Sequence, residues 1–394
     1  MEMELEIQVI TPTEEQKRAS EGVLEDLDKK IPTALMGRAG VGKTTTVRHI
    51  RNFLDMDSIV CAAPTHQACH ILREVIQHPV CTVASLLSKR REVDYVTGEV
   101  LFEPEDFVNH SDSTIIIDEA SMIGGTDKNA LFRNFPKASF LFVGDPGQLP
   151  PIKEESFSIF NHVNKHELLT NMRCGKGNVL FDNIERIYNS SEISLKDIVI
   201  GGNTYEMKVE DLTLDDVVVT YYNKRKDYYN NLILKEHFGG EITTEVKMIA
   251  NANLRYSKDG QYVLTNGERF FPTQVIPTVF KLDRIRAIPK LEIAGYYLKY
   301  GRTTLNYIPN RDLLSPYLEY YKSHKSWRDF YNLQSEFDDI SLAYAITSHK
   351  VQGSTYEHVT VDVGDIMSSP IGVRKASLYV AMSRAKEKVN LLNL

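Results

Sequence analysis

The segment that most constrains this chain is Thr33–Thr46, which reads TALMGRAGVGKTTT. A short apolar strand pattern runs into a glycine-rich loop, Gly37–Thr44, and the loop opens into a helix pattern. The spacing G-x-x-x-x-G-K-T lets backbone N–H groups surround a phosphate, and the following helix directs its positive end at the same anion. Lys43 can reach the terminal phosphates, and the Thr44 hydroxyl can bind Mg²⁺. The segment therefore predicts a phosphate-binding loop (P-loop) for ATP, formed by Gly37, Ala39, Gly40, Val41, Gly42, Lys43, Thr44 and Thr45.

Two further apolar strand patterns end in residues suited to phosphoryl transfer. Thr114–Ile117 leads into Asp118 and Glu119, and Ser139–Val143 leads into a loop framed by Gly and Pro that carries Gln148. Ligands of doubly wound sheets bind at the carboxyl ends of the strands. We interpret Asp118 as a Mg²⁺ ligand through water, Glu119 as the base for the attacking water and Gln148 as a γ-phosphate sensor.

Length and charge limit the remaining classes of protein. The chain has 394 residues, enough for two or three domains with real cores. Its net charge is −7, from 46 basic and 53 acidic residues, which argues against coating nucleic acid by bulk charge. No apolar run is long enough for a bilayer, and the N-terminus lacks the order of a signal peptide. We therefore expect a cytoplasmic protein without membrane contact, and the four cysteines, which form no C-x-x-C pair, give only weak support for a zinc or redox site.

Seven ordered motifs resemble those of superfamily 1 helicases. GRAGVGKT, DEAS and GDPGQLPP look like motifs I, II and III, and APTHQA at Ala63–Ala68 looks like motif Ia. Leu168–Arg173 (LLTNMR) is similar to motif IV, Thr347–Thr355 (TSHKVQGST) to motif V and Leu378–Ala385 (LYVAMSRA) to motif VI. Within the superfamily, the sequence is similar to the RecD-like branch (SF1B) and to the Dda-type helicases of T-even bacteriophages.

The resemblance implies an α/β fold with two RecA-like P-loop NTPase lobes, whose parallel sheets are flanked by helices. The expected boundaries are residues 1–88 and 111–175 for lobe 1A, 89–110 for an inserted pin hairpin (1B) and 176–215 for a linker. Residues 216–246 and 319–394 would form lobe 2A, and 247–318 an SH3-like β insert (2B). The strand patterns of lobe 2A are 216–222, 341–347, 359–365 and 388–394, and 324–337 reads as a helix. Thr97-Gly98 and Asn266-Gly267 are hairpin turn signals.

The resemblance also assigns residues around the nucleotide. Arg173 and Arg384 match the family's arginine fingers, whose planar guanidinium groups fit the charge that spreads over the γ-phosphate oxygens. Gln352 and Gly353 would approach the phosphates from the second lobe. Gln16 matches the glutamine that reads the adenine edge in this superfamily.

A further set of residues is expected along single-stranded nucleic acid. Hydroxyl and imidazole groups suit neutral contacts to phosphates, which fits the modest total charge. The candidates at the ends of strand patterns are Pro64, Thr65, His66, Thr82, Thr347 and His349. Phe102, in the pin hairpin, would be the aromatic that meets the duplex junction, or it would pack into the base of the hairpin.

The function implied is that of an ATP- and Mg²⁺-dependent helicase that moves 5′ to 3′ on single-stranded DNA and unwinds duplex DNA. Expected partners are single strands and duplex junctions, with replication or recombination proteins, and the chain would act as a monomer. Because no motif separates DNA from RNA, an RNA motor or a translocase that strips proteins stays open. A nucleotide-switched binding module with little turnover is a third alternative.

Overall fold

A computed structural model gives the fold and describes residues 11–87, 89–104, 112–151, 154, 157–172, 178–193, 195–215, 217–256, 262–282 and 291–394. Its α-helices, in chain order, are α1 (Glu14–Asp28), α2 (Lys43–Arg51), α3 (His66–Ile76), α4 (Val83–Leu86), α5 (Gly125–Asn134), α6 (Val179–Asn189), α7 (Asn223–Phe238), α8 (Ser315–Ser323), α9 (Trp327–Ser335), α10 (Ser348–Val351), α11 (Val363–Met367) and α12 (Ile371–Ser383). None of the described helices has the length and apolar character that a bilayer span requires.

The β-strands, again in chain order, are β1 (Thr33–Gly37), β2 (Ile59–Ala63), β3 (Val80–Thr82), β4 (Lys89–Val93), β5 (Val100–Pro104), β6 (Thr114–Ile117), β7 (Ser139–Gly144), β8 (Asn164–Leu168), β9 (Thr204–Glu206), β10 (Val217–Thr220), β11 (Met248–Ala250), β12 (Leu254–Tyr256), β13 (Tyr262–Leu264), β14 (Arg269–Phe270), β15 (Gln274–Leu282), β16 (Leu291–Tyr300), β17 (Thr303–Tyr307), β18 (Ile340–Leu342), β19 (Ala345–Thr347), β20 (Tyr356–Asp362) and β21 (Ala385–Leu392).

The chain divides into two compact units. Unit 1 contains the described residues of Met1–Leu87, Asp106–Thr204 and Pro370–Arg384. Unit 2 contains those of Ser88–Glu105, Tyr205–Ser369 and Ala385–Leu394.

Unit 1 is built on a six-stranded sheet in the order β3-β2-β6-β7-β1-β8, whose pairings are parallel. Helices cover both faces, so the strands read as near-continuous apolar runs. Leu35 of β1 and Ile116 of β6 pack with α1, α2 and α3, whereas Ala34 and Ile115 face the cluster that includes α4 and α5 residues. Because the strands are parallel, the loops after β1, β2, β6 and β7 all leave the same edge of the sheet.

Helix α12 belongs to unit 1, although the sequence placed all of residues 319–394 in lobe 2A. Its residues Ser377–Ser383 are buried without interruption. The Tyr379 ring lies 5.2 Å from the Tyr188 ring of α6, and Lys375 donates to the backbone oxygen of Ser190 at 2.8 Å. These contacts explain why α12 groups with the P-loop sheet, a partner that local sequence does not reveal.

Unit 2 contains a second sheet, in the order β19-β10-β20-β21-β9, in which β19, β10, β20 and β21 pair in parallel. The strands predicted at 216–222 and 388–394 correspond to β10 and β21. The strand predicted at 359–365 is wrong at its end, since β20 stops at Asp362. The Asp362 side chain accepts a hydrogen bond from the Asp365 N–H at 3.2 Å and caps α11, so the last three predicted strand residues are helical.

Antiparallel strands fill the segment that the sequence assigned to an SH3-like insert. Strands β15, β16 and β17 form one sheet, β14, β11 and β18 a second, and β12 pairs with β13. The SH3-like assignment stays a prediction. The hairpin expected at Asn266-Gly267 is wrong, because β13 and β14 pair with different strands. The Gly267 N–H bonds the Ala250 oxygen at 2.8 Å, and this contact turns the chain onto β11.

The hairpin of β4 and β5 is present, with Val93 opposite Val100 and a loop over residues 94–99. Gly98 takes a φ of +77°, as the Thr97-Gly98 turn signal predicts. This loop packs within unit 2, where the Tyr331 hydroxyl of α9 donates to the Gly98 oxygen at 2.9 Å. The Tyr95 and Tyr331 rings meet edge to face at 6.3 Å. The sequence placed this hairpin in lobe one, whereas its loop contacts α9.

Candidate nucleotide-binding site

The loop between β1 and α2 has the backbone that a phosphate cradle needs. Gly42 has a φ of +84° and precedes Lys43 as the N-cap of α2. It provides no side chain to cap the helix, so the first N–H groups of α2 face the space where a phosphate would bind. An added Cβ at Gly42 would lie 2.5 Å from the Gln16 amide nitrogen, so a larger residue there would also have to displace that buried amide.

Lys43 and the motif IV segment hold the outer part of this loop. The Lys43 ammonium donates to the backbone oxygens of Gly37 at 2.7 Å and Arg38 at 2.9 Å. The Asn171 amide donates to the Ala39 oxygen at 3.1 Å. The residue after it, Met172, donates its N–H to the Gly40 oxygen at 2.9 Å. The chain is thus anchored to the P-loop immediately before Arg173, which itself lies outside the described residues.

Gln16 is buried beneath the P-loop, with 4% of its surface exposed. Its amide oxygen accepts from the Thr13 N–H at 3.0 Å, which completes the capping box of α1. Its amide nitrogen donates to the Val41 oxygen at 3.4 Å. The structure therefore places Gln16 against the nucleotide loop, and the adenine-reading role stays a prediction.

Asp118 and Glu119 follow β6 at the same edge of the sheet. Burial and the neighbouring Glu119 carboxylate raise the pKa of Asp118 well above its ordinary value, while the Glu119 N–H and the Lys43 ammonium oppose that rise. Glu119 is half-buried and has a φ of +49°, a left-handed conformation that is costly for a residue with a Cβ. Strained backbone of this kind is concentrated at functional sites.

Gln148 lies on the turn after β7. Its side chain is 6% exposed, and its N–H donates to the Asp145 oxygen at 3.2 Å. Gly144, at the end of β7, runs so close to the segment that follows β6 that an added Cβ would lie 3.1 Å from the Ala120 nitrogen. A cavity of about 310 Å³ adjoins Gln148 and Ser121 and extends to α12 at Lys375. The second and third motifs and α12 therefore line one space.

Arg384 ends α12 and is 6% exposed. Its Nε donates to the Val380 oxygen at 3.2 Å, and its Nη2 donates to the Ser383 hydroxyl at 3.1 Å. Five residues earlier on this helix, the Tyr379 hydroxyl accepts from the Ala39 N–H of the P-loop at 3.1 Å. Unit 1 thus contains both the P-loop and the helix that carries Arg384.

The candidate nucleic-acid residues of unit 1 lie at the ends of two neighbouring strands. Thr65 and Thr82 are the N-caps of α3 and α4, and their hydroxyls accept from the Ala68 and Ser85 N–H groups. His66 is half-buried, and burial together with Arg73 lowers the pKa of its imidazole. A neutral imidazole favours hydrogen bonding over a charge contact, and the nucleic-acid role of His66 stays a prediction.

Pro64 and Phe102 complete the candidates from this half of the sequence. Pro64 is half-buried between β2 and the Thr65 cap. Phe102 lies in β5 opposite Arg91, and its side chain lies outside what the structure describes.

The candidates in unit 2 cluster at the end of β19. Thr347 is the N-cap of α10, and the His349 ring lies 5.5 Å from the Tyr221 ring, which follows β10. Gln352 is 4% exposed at the end of α10, and Gly353 has a φ of +79°. The structure brings these four residues together at the carboxyl edge of the second sheet, and their roles stay predictions.

Several known proteins and two family models are similar to this chain. One family model, described as an AAA domain, matches residues 11–177, and another, described as a UvrD-like helicase C-terminal domain, matches residues 342–392. The ATP-dependent DNA helicase dda of Enterobacteria phage T4 is 24% identical over 445 residues, which cover 96% of this chain and 98% of that protein. The chain is thus similar to ATP-dependent DNA helicases of the Dda type over nearly its whole length. The uncharacterized protein R530 of Acanthamoeba polyphaga mimivirus is 25% identical and covers 91% and 94% of the two chains.

Solved helicase structures match the fold of this chain along nearly its whole length. Bacteroides Pif1 bound to single-stranded DNA has a TM-score of 0.59 at 16% identity, covering 97% of this chain and 92% of that one. Pif1 from Candida albicans has a TM-score of 0.53 at 16% identity, covering 98% and 95%. The two RecA-like α/β lobes predicted from the sequence are thereby confirmed.

Sequence reasoning missed several residues that shape this candidate site. Arg38 forms an ion pair with Glu185 of α6, and its guanidinium lies 4.2 Å from the centre of the Tyr188 ring. Tyr379 and Asp145 were visible inside motifs VI and III, but nothing local revealed that they meet. The uninterrupted apolar run of α12 could have indicated a helix buried against another part of the chain.

Proposed function

We propose that this helicase uses ATP hydrolysis to move 5′ to 3′ along single-stranded DNA and to separate duplex DNA ahead of it. The activity of an ATP-dependent DNA helicase follows from its relatedness to Dda over almost the full length of both chains. The observation that best supports the hydrolysis step is the P-loop lysine near buried Asp118 and half-buried Glu119, with Gln148 on the adjoining strand end. The polarity is carried over from the family resemblance.

In the proposed reaction, Lys43 and the α2 N-terminus hold the β- and γ-phosphates, and Glu119 removes a proton from the attacking water. The raised pKa of buried Asp118 fits a site that receives a further cation, because an added positive charge would keep this carboxylate ionised. The Thr44 hydroxyl and Asp118 would hold Mg²⁺, whose oxygen-ligand preference they match. The ion would supply charge stabilisation to the phosphates.

The proposed substrate is single-stranded DNA with duplex junctions. Bacteroides Pif1 was solved with single-stranded DNA, and another Pif1 structure describes unwinding at forked duplex DNA. Thr65, His66, Thr82, Thr347 and His349 lie at the strand ends where such a track would run in each unit. Replication or recombination proteins, a monomeric state and the cytoplasmic location stay predictions.

The proposed activity and its polarity can be tested in one experiment. We expect single-stranded DNA to stimulate ATP hydrolysis and a 5′-tailed DNA duplex to be unwound faster than a 3′-tailed duplex of the same sequence. A Lys43→Ala variant controls for contaminating ATPase, because it lacks the phosphate-binding ammonium. Equal rates on both tails would contradict the polarity, and hydrolysis that ignores single-stranded DNA would contradict the motor itself. RNA-tailed duplexes in the same assay test the nucleic-acid preference.

If the β4–β5 hairpin acts as the pin that separates duplex DNA, disturbing the contact between its loop and α9 should lower unwinding more than ATP hydrolysis. An added Cβ at Gly98 would lie 2.1 Å from the Trp327 ring, and the residue has a φ of +77°. We expect Gly98→Ala to displace the loop from α9 at a cost on the order of 1–3 kcal/mol. Unwinding of a 5′-tailed duplex should fall, while hydrolysis stimulated by single-stranded DNA stays near the wild-type rate.

A matched control distinguishes the loss of the contact with α9 from the backbone strain of an alanine at positive φ. Gly301 has a φ of +57°, but no atom lies within 4 Å of an added Cβ. Gly301→Ala should therefore leave unwinding unchanged. If both variants lose unwinding equally, or if Gly98→Ala lowers hydrolysis as much as unwinding, the proposed role of the hairpin in strand separation is wrong.

A further inference from the structure

The hydroxyl of Tyr379 joins two loops of the nucleotide site. Its side chain is 1% exposed, accepts from the Ala39 N–H of the P-loop at 3.1 Å and donates to Oδ2 of Asp145. Because an amide N–H only donates and a carboxylate only accepts, this direction is the one available. We propose that Tyr379 is a positioning residue for ATP hydrolysis, which ties the P-loop to the Gln148 turn and fixes the helix end that carries Arg384.

The carboxylate of Asp145 shapes the turn on which Gln148 lies. Asp145 is fully buried, and its Oδ1 accepts from the Gly147 N–H at 2.9 Å. Its backbone oxygen accepts from the Gln148 N–H at 3.2 Å. The Tyr379 hydroxyl supplies the hydrogen bond to the other carboxylate oxygen. Without that hydroxyl, a buried charged oxygen loses its partner, and the turn shifts to recover one.

At the P-loop end of the link, both backbone polar groups of Ala39 are hydrogen-bonded. The N–H of Ala39 reaches Tyr379, while its carbonyl oxygen accepts from the Asn171 amide at 3.1 Å. Tyr379 and Arg384 are rigidly related, since both belong to the same buried stretch of α12. A shift of the hydroxyl contact therefore changes the placement of groups expected to act on the γ-phosphate, and misplacement of this kind slows the chemical step.

The ring of Tyr379 is held separately from its hydroxyl. Tyr188 packs against it edge to face at 5.2 Å and also covers Gly147, where an added Cβ would lie 2.2 Å from the Tyr188 ring. Burial and the Asp145 carboxylate raise the pKa of the Tyr379 phenol, so it stays a donor at neutral pH. A phenylalanine at position 379 therefore removes the link and keeps the ring packing.

The test rests on the proposed function and measures ATP hydrolysis by the full chain with saturating single-stranded DNA. We expect Tyr379→Phe to lower kcat about 10- to 100-fold, as for the loss of a hydrogen bond to a buried charge. The KM for ATP should change less than about threefold, because the P-loop still binds the phosphates. Tyr307→Phe is the matched control: this tyrosine is also buried, lies in unit 2 and should keep the wild-type kcat.

A double-mutant cycle distinguishes a positioning link from a general loss of stability. Asp145→Asn should lower kcat as well, and the Tyr379→Phe/Asp145→Asn double variant should be no slower than the slower single variant, because both changes cut the same link. If the kcat losses of the two single variants multiply in the double variant, the proposal is wrong. It is also wrong if Tyr379→Phe keeps the kcat of Tyr307→Phe or shows only a raised KM for ATP. If Tyr379→Phe fails to fold, Asp145→Asn alone decides on the same kcat and KM criteria. Wild-type hydrolysis without stimulation by DNA would instead contradict the proposed function.

Discussion

We expect Glu119→Gln to bind ATP with near wild-type affinity and to lose ATP turnover by about 10²- to 10⁴-fold, the contribution of a positioned general base. Glu119 follows β6 with a φ of +49° beside the buried Asp118 carboxylate. Glutamine keeps the size of the side chain and its ability to hold a water, but it cannot accept the proton. The nucleotide-binding groups, Lys43 and the α2 N-terminus, are untouched by the change.

Two measurements check this expectation on the same preparation. A fluorescent ATP analogue reports binding, and phosphate release with saturating single-stranded DNA reports turnover. Glu21→Gln is the matched control, since Glu21 is an exposed carboxylate on α1 and its loss should change neither quantity. Phosphate release within about tenfold of wild type in Glu119→Gln would assign the base to another residue. Loss of nucleotide binding would place Glu119 in the cradle instead.

Local sequence predicted the catalytic strands of unit 1 well because each strand ends in its own functional residues. The strand at Thr114–Ile117 was predicted residue for residue, and the P-loop strand and helix pattern correspond to β1 and α2. Apolar runs buried on both faces, followed by glycine or carboxylates, leave few alternative structures. The order of the motifs then predicted two RecA-like lobes, which the solved Pif1 structures confirm.

Contacts between distant segments were the part that sequence patterns could not supply. Tyr379 meets Asp145 across 234 positions of the chain, and the Tyr331 hydroxyl meets Gly98 across 233. A tyrosine in a buried helix looks the same in sequence whichever carboxylate it faces. The predicted end of β20 was wrong for a different reason. Asp362 caps α11, and the apolar pattern of the strand continues into that helix.

Arg384 carries the second large expected effect. We expect Arg384→Lys to lower kcat about 10³-fold or more with saturating single-stranded DNA, the range seen when an arginine finger is missing. Lysine keeps the positive charge, but it is a point charge and lacks the planar fork that fits two γ-phosphate oxygens at once. Binding of ATP should change much less, because the charge that develops in the transition state is what the guanidinium stabilises.

The position of Arg384 makes its control straightforward. Arg374 lies on the same helix, is half-buried and is ten residues away, so Arg374→Lys tests whether any Arg-to-Lys change in α12 disturbs the site. We expect Arg374→Lys to keep the wild-type kcat and both variants to unfold at the wild-type temperature. A kcat for Arg384→Lys within about tenfold of wild type would show that charge alone suffices, and the fork geometry would then be irrelevant. In that case Arg173, at the end of the segment anchored to Ala39 and Gly40, would be the arginine that stabilises the transition state, and Arg173→Lys should show the larger loss.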